Sequence, residues 1–320
     1  MAVATRTSAT AGSKATRWSS ARRREALTGW LWSSPWILGF FIFTFGPMVA
    51  SLFLSFTDYT ISNTPSWVGF DNFSRALSGR DDLFWSSLIR TFKYALIMVP
   101  LGICGSLLAA TALNHGLKGT SVFRTFFFLP SLTPVVASAL IWAWLYNTNY
   151  GILNYFLKQV GIAGPRWLQD PDSAMGSLII VALWSTIGGS TMIIFLAGLQ
   201  GVPRELYEAA EIDGASAIQR FLAVTLPMIS PTIFFNLVIG VISALKVFAL
   251  PIIMTDGGPN YATWFFIVHL YREGFQNYDM GYASALAWVF MIIVVTLTLA
   301  NTRLSSRWVY YEGDDRRNEK

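Results

Sequence analysis

The chain has 320 residues, 53% hydrophobic and only 13% charged, with a formal net charge of +5 and a mean hydropathy of +0.47. That balance excludes a water-soluble globular domain, because apolar side chains in this proportion exceed what a soluble core can hide, and it makes the bilayer the solvent. The basic excess is scattered in short stretches between apolar runs, so it reads as a topology signal and excludes a nucleic-acid-binding surface.

In chain order, Met1 to Ala26 is rich in Ser, Ala, Thr and Arg and nearly free of large apolar side chains. It cannot bury enough surface to offset its ordering entropy and is expected to remain a disordered basic cytoplasmic tail. The transmembrane part is expected over residues 27–308. Six apolar runs follow: Trp32 to Phe56, Leu88 to Leu113, Val122 to Tyr146, Met175 to Gln200, Met228 to Met254 and Tyr282 to Asn301. Each comes close to the ~20 residues that cross a hydrocarbon layer of ~30 Å, so the expected fold is an all-α integral membrane bundle of about six transmembrane helices. Arg22, Arg23 and Arg24 precede the first run, which is too long and lacks the cleavage site of a signal peptide, so it stays as an anchor. Most of the 23 Lys and Arg fall in Met1 to Trp30, His115 to Arg124, Gly201 to Arg220 and Thr302 to Lys320. This places both termini, including a tail over residues 309–320, in the cytoplasm.

Turn chemistry marks the opposite side at Asn147 to Gly151 and at Asp256-Gly257-Gly258-Pro259-Asn260. Trp264 to Phe275 mixes apolar and polar residues as a short interfacial helix does, or as a segment packed on the outer face does. Cys104 is the sole cysteine, and His115 and His269 are far apart and read as surface or interfacial residues, so no metal site is expected. Polar groups inside spans are costly and mark cavities or close packing. The fourth span holds Ser185, Thr186, Gly188, Gly189, Ser190 and Thr191, and the fifth holds Asn236, Ser243 and Lys246.

The stretch after the fourth span, Gly201 to Pro231, is too polar to cross a membrane. Glu205 to Ile212 has helical composition, Gly214 permits a sharp change of direction, and Ala217 to Val224 is helical again. With Ala209, Ala210, Gly214 and Ala215 among the carboxylates Glu205, Glu208, Glu211 and Asp213, it forms either a compact knob for a groove on a partner or an ordinary amphipathic connector.

The pattern Glu208-Ala209-Ala210, Asp213-Gly214-Ala215, Phe221 and Leu226-Pro227 resembles the EAA loop of permease subunits of binding-protein-dependent ABC importers. The likeness extends from about Pro35 to Arg307 and is closest to the carbohydrate-uptake branch of maltose-, lactose- and glycerol-phosphate-type permeases. Val68-Gly69-Phe70-Asp71-Asn72-Phe73, Gly257-Gly258-Pro259 and Gly281 to Ala285 contribute to it. The resemblance implies a type I importer permease fold in a bacterial cell membrane. Its coupling helix, within residues 201–227, would dock into a cytoplasmic ATPase through Glu208, Ala209, Ala210, Asp213, Gly214 and Ala215. The implied partners are a second permease, two ATPase subunits and an extracytoplasmic solute-binding protein. In maltose-type relatives the stretches matching Ile187 to Thr191 and Ser243 to Val247 line the path, which makes Gly188, Gly189, Thr191, Ser243, Lys246 and Val247 path candidates. This chain has Ala244, Lys246 and Val247 where those relatives often carry amides.

The chain holds no GxxxxGK[ST] phosphate loop, so it is expected to bind no cofactor and to catalyse nothing, with ATP-Mg used by the partner ATPases. The rival reading is an ion-coupled secondary transporter, which usually carries membrane-embedded acids, and none of the six apolar runs contains Asp or Glu.

Overall fold

The computed structural model describes residues 20–114, 119–305 and 308–310 and divides into two units, Met1–Phe53 and Leu54–Lys320. The first is one helix built from α1 (Ser20–Phe40), a π turn at Phe41–Phe45 and α2 (Gly46–Leu54). It is long and apolar enough to cross a membrane from Arg24 to Leu54. Pro47 explains the π turn: its ring crowds the carbonyl four residues back and offers no N–H, and widening the preceding turn relieves both. The helix starts inside the stretch expected to be a tail, whose first 19 residues lie outside the described ones, as does His115.

The second unit opens with a turn clamped by α3 (Asp71–Leu77), whose buried Asn72 donates through Nδ2 to the carbonyls of Ser55 and Thr57 at 3.0 and 2.8 Å. Its longest element, α4 (Asp82–Asn114), runs through two apolar clusters. Around its Asp82 half, Phe84, Leu88 and Tyr94 pack with Leu178, Phe266, Tyr282 and Leu286. Around its Asn114 half, Leu107 and Ala110 pack with Met192, Phe195, Leu199 and Ile229. Large apolar side chains on other faces stay open, such as Leu96 at 77% and Leu108 at 68% exposure, as a lipid-facing surface requires.

Beyond α4 come α5 (Thr120–Leu132), α6 (Val135–Leu145), α7 (Ile152–Gln159), α8 (Pro171–Ile187) and α9 (Ser190–Gln200). Then follow α10 (Arg204–Ile212), α11 (Ala217–Arg220), α12 (Leu226–Met228), α13 (Ser230–Leu245) and α14 (Ala249–Thr255). The unit closes with α15 (Phe266–Tyr271) and α16 (Met280–Ser305). Among the described residues three helices are long enough to cross alone, and three bent pairs bring the number of crossings to as many as six.

Each bend has a local cause. The α5/α6 pair turns by 96° because Pro134 drives Thr133 out of the helical region (φ −74°, ψ 126°) and supplies no N–H. The α8/α9 pair turns by 43° at Gly188-Gly189, where a Cβ on Gly188 would lie 1.7 Å from the Phe127 carbonyl oxygen. The 67° bend into α13 follows a second π turn, Phe221–Thr225, again just upstream of a proline, Pro227. The apolar run expected from Met228 to Met254 is thus interrupted twice, the second time at Lys246 to Phe248 between α13 and α14.

Of the two readings of Trp264 to Phe275, the packed one fits its first half. Phe265, Phe266, Val268 and His269 are all within 1% of complete burial, and Thr91 Oγ1 on α4 accepts from the Phe266 N–H at 2.9 Å. The expectation that His269 lies at a surface is therefore corrected. The ring is buried because an acid 188 positions earlier, Asp81, partners its Nε2 at 2.7 Å.

Candidate functional site

The polar stretch after α9 folds as two short helices with a defined turn. Pro203 starts α10, and Gly214, at φ +79°, ends it. The Gly214 N–H donates to the Glu211 carbonyl and the Ala215 N–H to the Ala210 carbonyl, at 3.0 and 2.9 Å, the pair of bonds that closes a Schellman cap. A Cβ on Gly214 would meet nothing within 4 Å, so conformation and not space requires glycine there. Ser216 then starts α11 with a reciprocal capping box to Gln219, and Arg220 reaches back to Glu211 at 3.0 Å.

This arrangement leaves Glu205, Glu208, Ala209 and Asp213 exposed, with Ala210 and Ala215 half-buried. Of the three glutamates only Glu211 is in an ion pair among the described residues. Beside them Ile212 is 86% exposed, an apolar side chain set among carboxylates that sequence reasoning did not single out. The loop is tied to the bundle by Tyr207, whose hydroxyl lies 2.9 Å from Thr225 Oγ1 in the π turn that feeds α13.

About 300 Å³ of cavity lies between α4, the α8/α9 break and α13. Four of the six path candidates line it: Gly189, Thr191, Ser243 and Val247. Gly188 faces away, against Phe127 of α5. Lys246 is exposed beside the cavity and is not part of its wall. Tyr94 and Gly102 of α4, Ser131 at the α5/α6 bend and Gly240 also line it, and these were not foreseen. Gly240 gave a readable signal as a glycine inside a helix, since a Cβ there would press on Val99 at 3.3 Å.

The Ser185 and Thr186 hydroxyls donate to the Ala182 carbonyl at 3.0 and 2.8 Å, and Asn236 Nδ2 donates to the Thr232 carbonyl at 2.9 Å. These side chains are thus held against the backbone of their own helices. The wall contains no carboxylate, guanidinium or ammonium. Such a surface can exchange hydrogen bonds with a polar uncharged solute and supports no acid–base chemistry.

A second polar cluster joins the ends of α3, α4, α15 and α16. Asp81 Oδ2 accepts from His269 Nε2 at 2.7 Å and from the Tyr282 hydroxyl at 2.5 Å, while Oδ1 accepts from the Leu83 N–H at 2.9 Å and caps α4. Burial pushes the Asp81 carboxyl up, but the bonds from His269 and Tyr282 outweigh it and hold the group below the usual carboxylate range. Arg75 stacks over the Tyr282 ring at 3.8 Å and pairs with Asp279 at 2.7 Å.

Bent apolar spans, a small neutral cavity among them and an exposed two-helix loop tied to the turn that leads into a cavity-lining helix define a solute-transporting membrane subunit. Residues 102–309 match the family described as the inner membrane component of binding-protein-dependent transport systems, and the chain belongs to that family. It is 43% identical over 95% of its length to the probable ABC transporter permease protein YesP of Bacillus subtilis, of which it covers 98%. It is 34% identical to the trehalose/maltose transport system permease protein MalF of Thermococcus litoralis, over 88% of this chain and 94% of that one. Its fold is similar to that of a chain in a bacterial ABC transporter that imports the acidic polysaccharide alginate. The TM-score is 0.78 at 25% identity, over 89% of this chain and 98% of the other. The protein is a transport component, and the ion-coupled reading has no support in these likenesses.

Proposed function

We infer that this chain forms half of the path of a sugar importer in a bacterial cell membrane. A second permease would supply the other half, two cytoplasmic ATPases the energy, and an extracytoplasmic binding protein the solute. Both termini and the α10–α11 loop lie on the cytoplasmic side, as the distribution of Lys and Arg favours. The sugar assignment draws on the relatives' solutes and on a cavity of hydroxyl, amide and carbonyl groups suited to polyols.

The observation that carries this reading is the connection from the loop to the cavity. The exposed Glu205, Glu208 and Ile212 suit a groove with an apolar floor and basic rim, and Tyr207 links the same helix to Thr225. From Thr225 the chain passes through α12 into α13, which lines the cavity through Asn236, Gly240 and Ser243. Closure of the ATPases on nucleotide would displace α10 and rock α13 and the α8/α9 break, opening the cavity to one side and then the other. Uptake by the reconstituted complex tests this. Glu208→Lys and Ala209→Trp, each at an exposed position in helical backbone with room for the new side chain, should abolish uptake and release the ATPase from the purified complex. Normal uptake by either variant would contradict the docking role.

A further inference from the structure

The cavity wall is neutral, yet one cation stands at its edge. Lys246 is the C-cap residue of α13, in a segment where no residue from Met228 to Met254 is acidic. Its neighbours Ala244 and Leu245 are buried at 4% and 1%, whereas Lys246 itself is exposed. Ser243, one turn before it, and Val247, directly after it, both line the cavity. The lysine therefore sits at the rim, on the edge of α13 that also carries the exposed Ile239 and Ser243.

An ammonium at the break between α13 and α14, with apolar helices on both sides, is costly and needs a reason. Among the described residues it has no ion-pair partner: the ion pairs engage Arg75, Arg80, Arg220, Arg272 and His269, and none reaches Lys246. Its position at a helix C-terminus offsets part of the cost, because the free carbonyls of the last turn favour a cation. That explains why lysine is tolerated and leaves open what it faces. A single uncompensated positive charge beside a small neutral cavity gives the cavity mouth a positive potential, concentrated by the low-dielectric wall, which attracts and orients an anion.

We propose that Lys246 makes this path selective for anionic sugars, those carrying a carboxylate, sulfonate or phosphate group. The hydroxyls and amide of the wall would bind the neutral part of the sugar, and the ammonium its charge. This rests on the sugar-importer reading above and narrows its solute. A compact ammonium on a flexible stem suits a charged group whose position shifts as the solute moves, better than a planar, bidentate guanidinium would.

The test uses the whole complex, with its binding protein, in proteoliposomes. It is supplied with ATP and a polysaccharide hydrolysate containing both neutral and acidic oligosaccharides, and the lumen is analysed by mass spectrometry. The species that accumulate should be acidic. Lys246→Gln should slow their uptake by about ten- to a hundredfold, the loss expected for one hydrogen bond to a charged group, while Lys246→Arg retains most of it. Accumulation of neutral sugars only, or acidic uptake by Lys246→Gln at the original rate, would overturn the proposal while leaving the sugar importer standing. A Lys246→Gln chain that no longer co-purifies with the second permease would place the lysine in the subunit contact and overturn it as well. If ATP is hydrolysed and no sugar of either kind accumulates, the sugar reading itself fails and this inference fails with it.

Discussion

The glycine inside α8 and the one that caps it should respond in opposite directions to the same substitution. At Gly188 an added Cβ would lie 1.7 Å from the Phe127 carbonyl oxygen, 2.5 Å from its carbon and 3.0 Å from its Cα. An unstrained carbon–oxygen contact is about 3.3 Å or more, so α5 would have to retreat by about 1.6 Å, and the obstacle is backbone that cannot rotate aside. Overpacking a tight contact costs about 1–3 kcal/mol, and Gly188→Ala should fall at the upper end or beyond. Gly176, inside α8, has nothing within 4 Å of its Cβ position. Gly176→Ala should stabilise by about 0.5–1 kcal/mol, through helix propensity and reduced freedom of the unfolded chain. Thermal unfolding of the purified complex, followed by the loss of its monodisperse peak after heating, compares the two variants directly. A Gly188→Ala protein as stable as the unmodified one would refute the close approach of α5 to the α8/α9 break.

Three further results follow from the same geometry. Asp81→Ala removes the partner of buried His269 and Tyr282 and the cap of α4, and should cost about 3–5 kcal/mol. Because the folded Asp81 carboxyl lies below its unfolded value, its contribution is complete above the ordinary carboxylate range and drains only as pH falls toward the folded value. The gap in unfolding midpoint between the two proteins should therefore hold from neutrality to about pH 4 and narrow only below that. A gap that closes in mild acid would contradict the assignment. Tyr207→Phe deletes the hydroxyl that meets Thr225, at a stability cost of about 1 kcal/mol. It should leave the ATPase bound while lowering sugar transported per ATP hydrolysed, and an unchanged ratio would remove this contact from the coupling route.

The positions of the spans were legible because a bilayer demands long apolar runs, and the α10–α11 loop because it fails that demand while carrying a glycine where the chain reverses. The bends were only half legible. Pro130, Pro134 and Gly188-Gly189 are visible in the sequence, but hydropathy averages over them, so Val122 to Tyr146 reads as one span when it turns by 96°. The cavity was legible on α8, α9 and α13, whose polar residues interrupt apolar runs. It was hidden on α4, where Tyr94 and Gly102 lie in the apolar run Leu88 to Leu113 with nothing to set them apart. The Asp81–His269–Tyr282 cluster left no local trace, since its members are separated by 188 and 201 positions and only tertiary packing joins them. Ile212 was overlooked for a related reason: on an amphipathic helix an isoleucine reads as facing inward, and here it faces out.

The central claim is that the α10–α11 loop seats in an ATPase, and a cross-link tests it most directly. Cys104 is the only native cysteine and is exposed, so Cys104→Ser gives a background in which Ile212→Cys reports alone. In membranes containing the complete complex, a short bifunctional thiol–amine reagent at position 212 should yield a product of this chain and the ATPase whose amount changes when nucleotide is added. Cross-linking to lipid or to the second permease alone, with the ATPase present and never captured, would contradict the account.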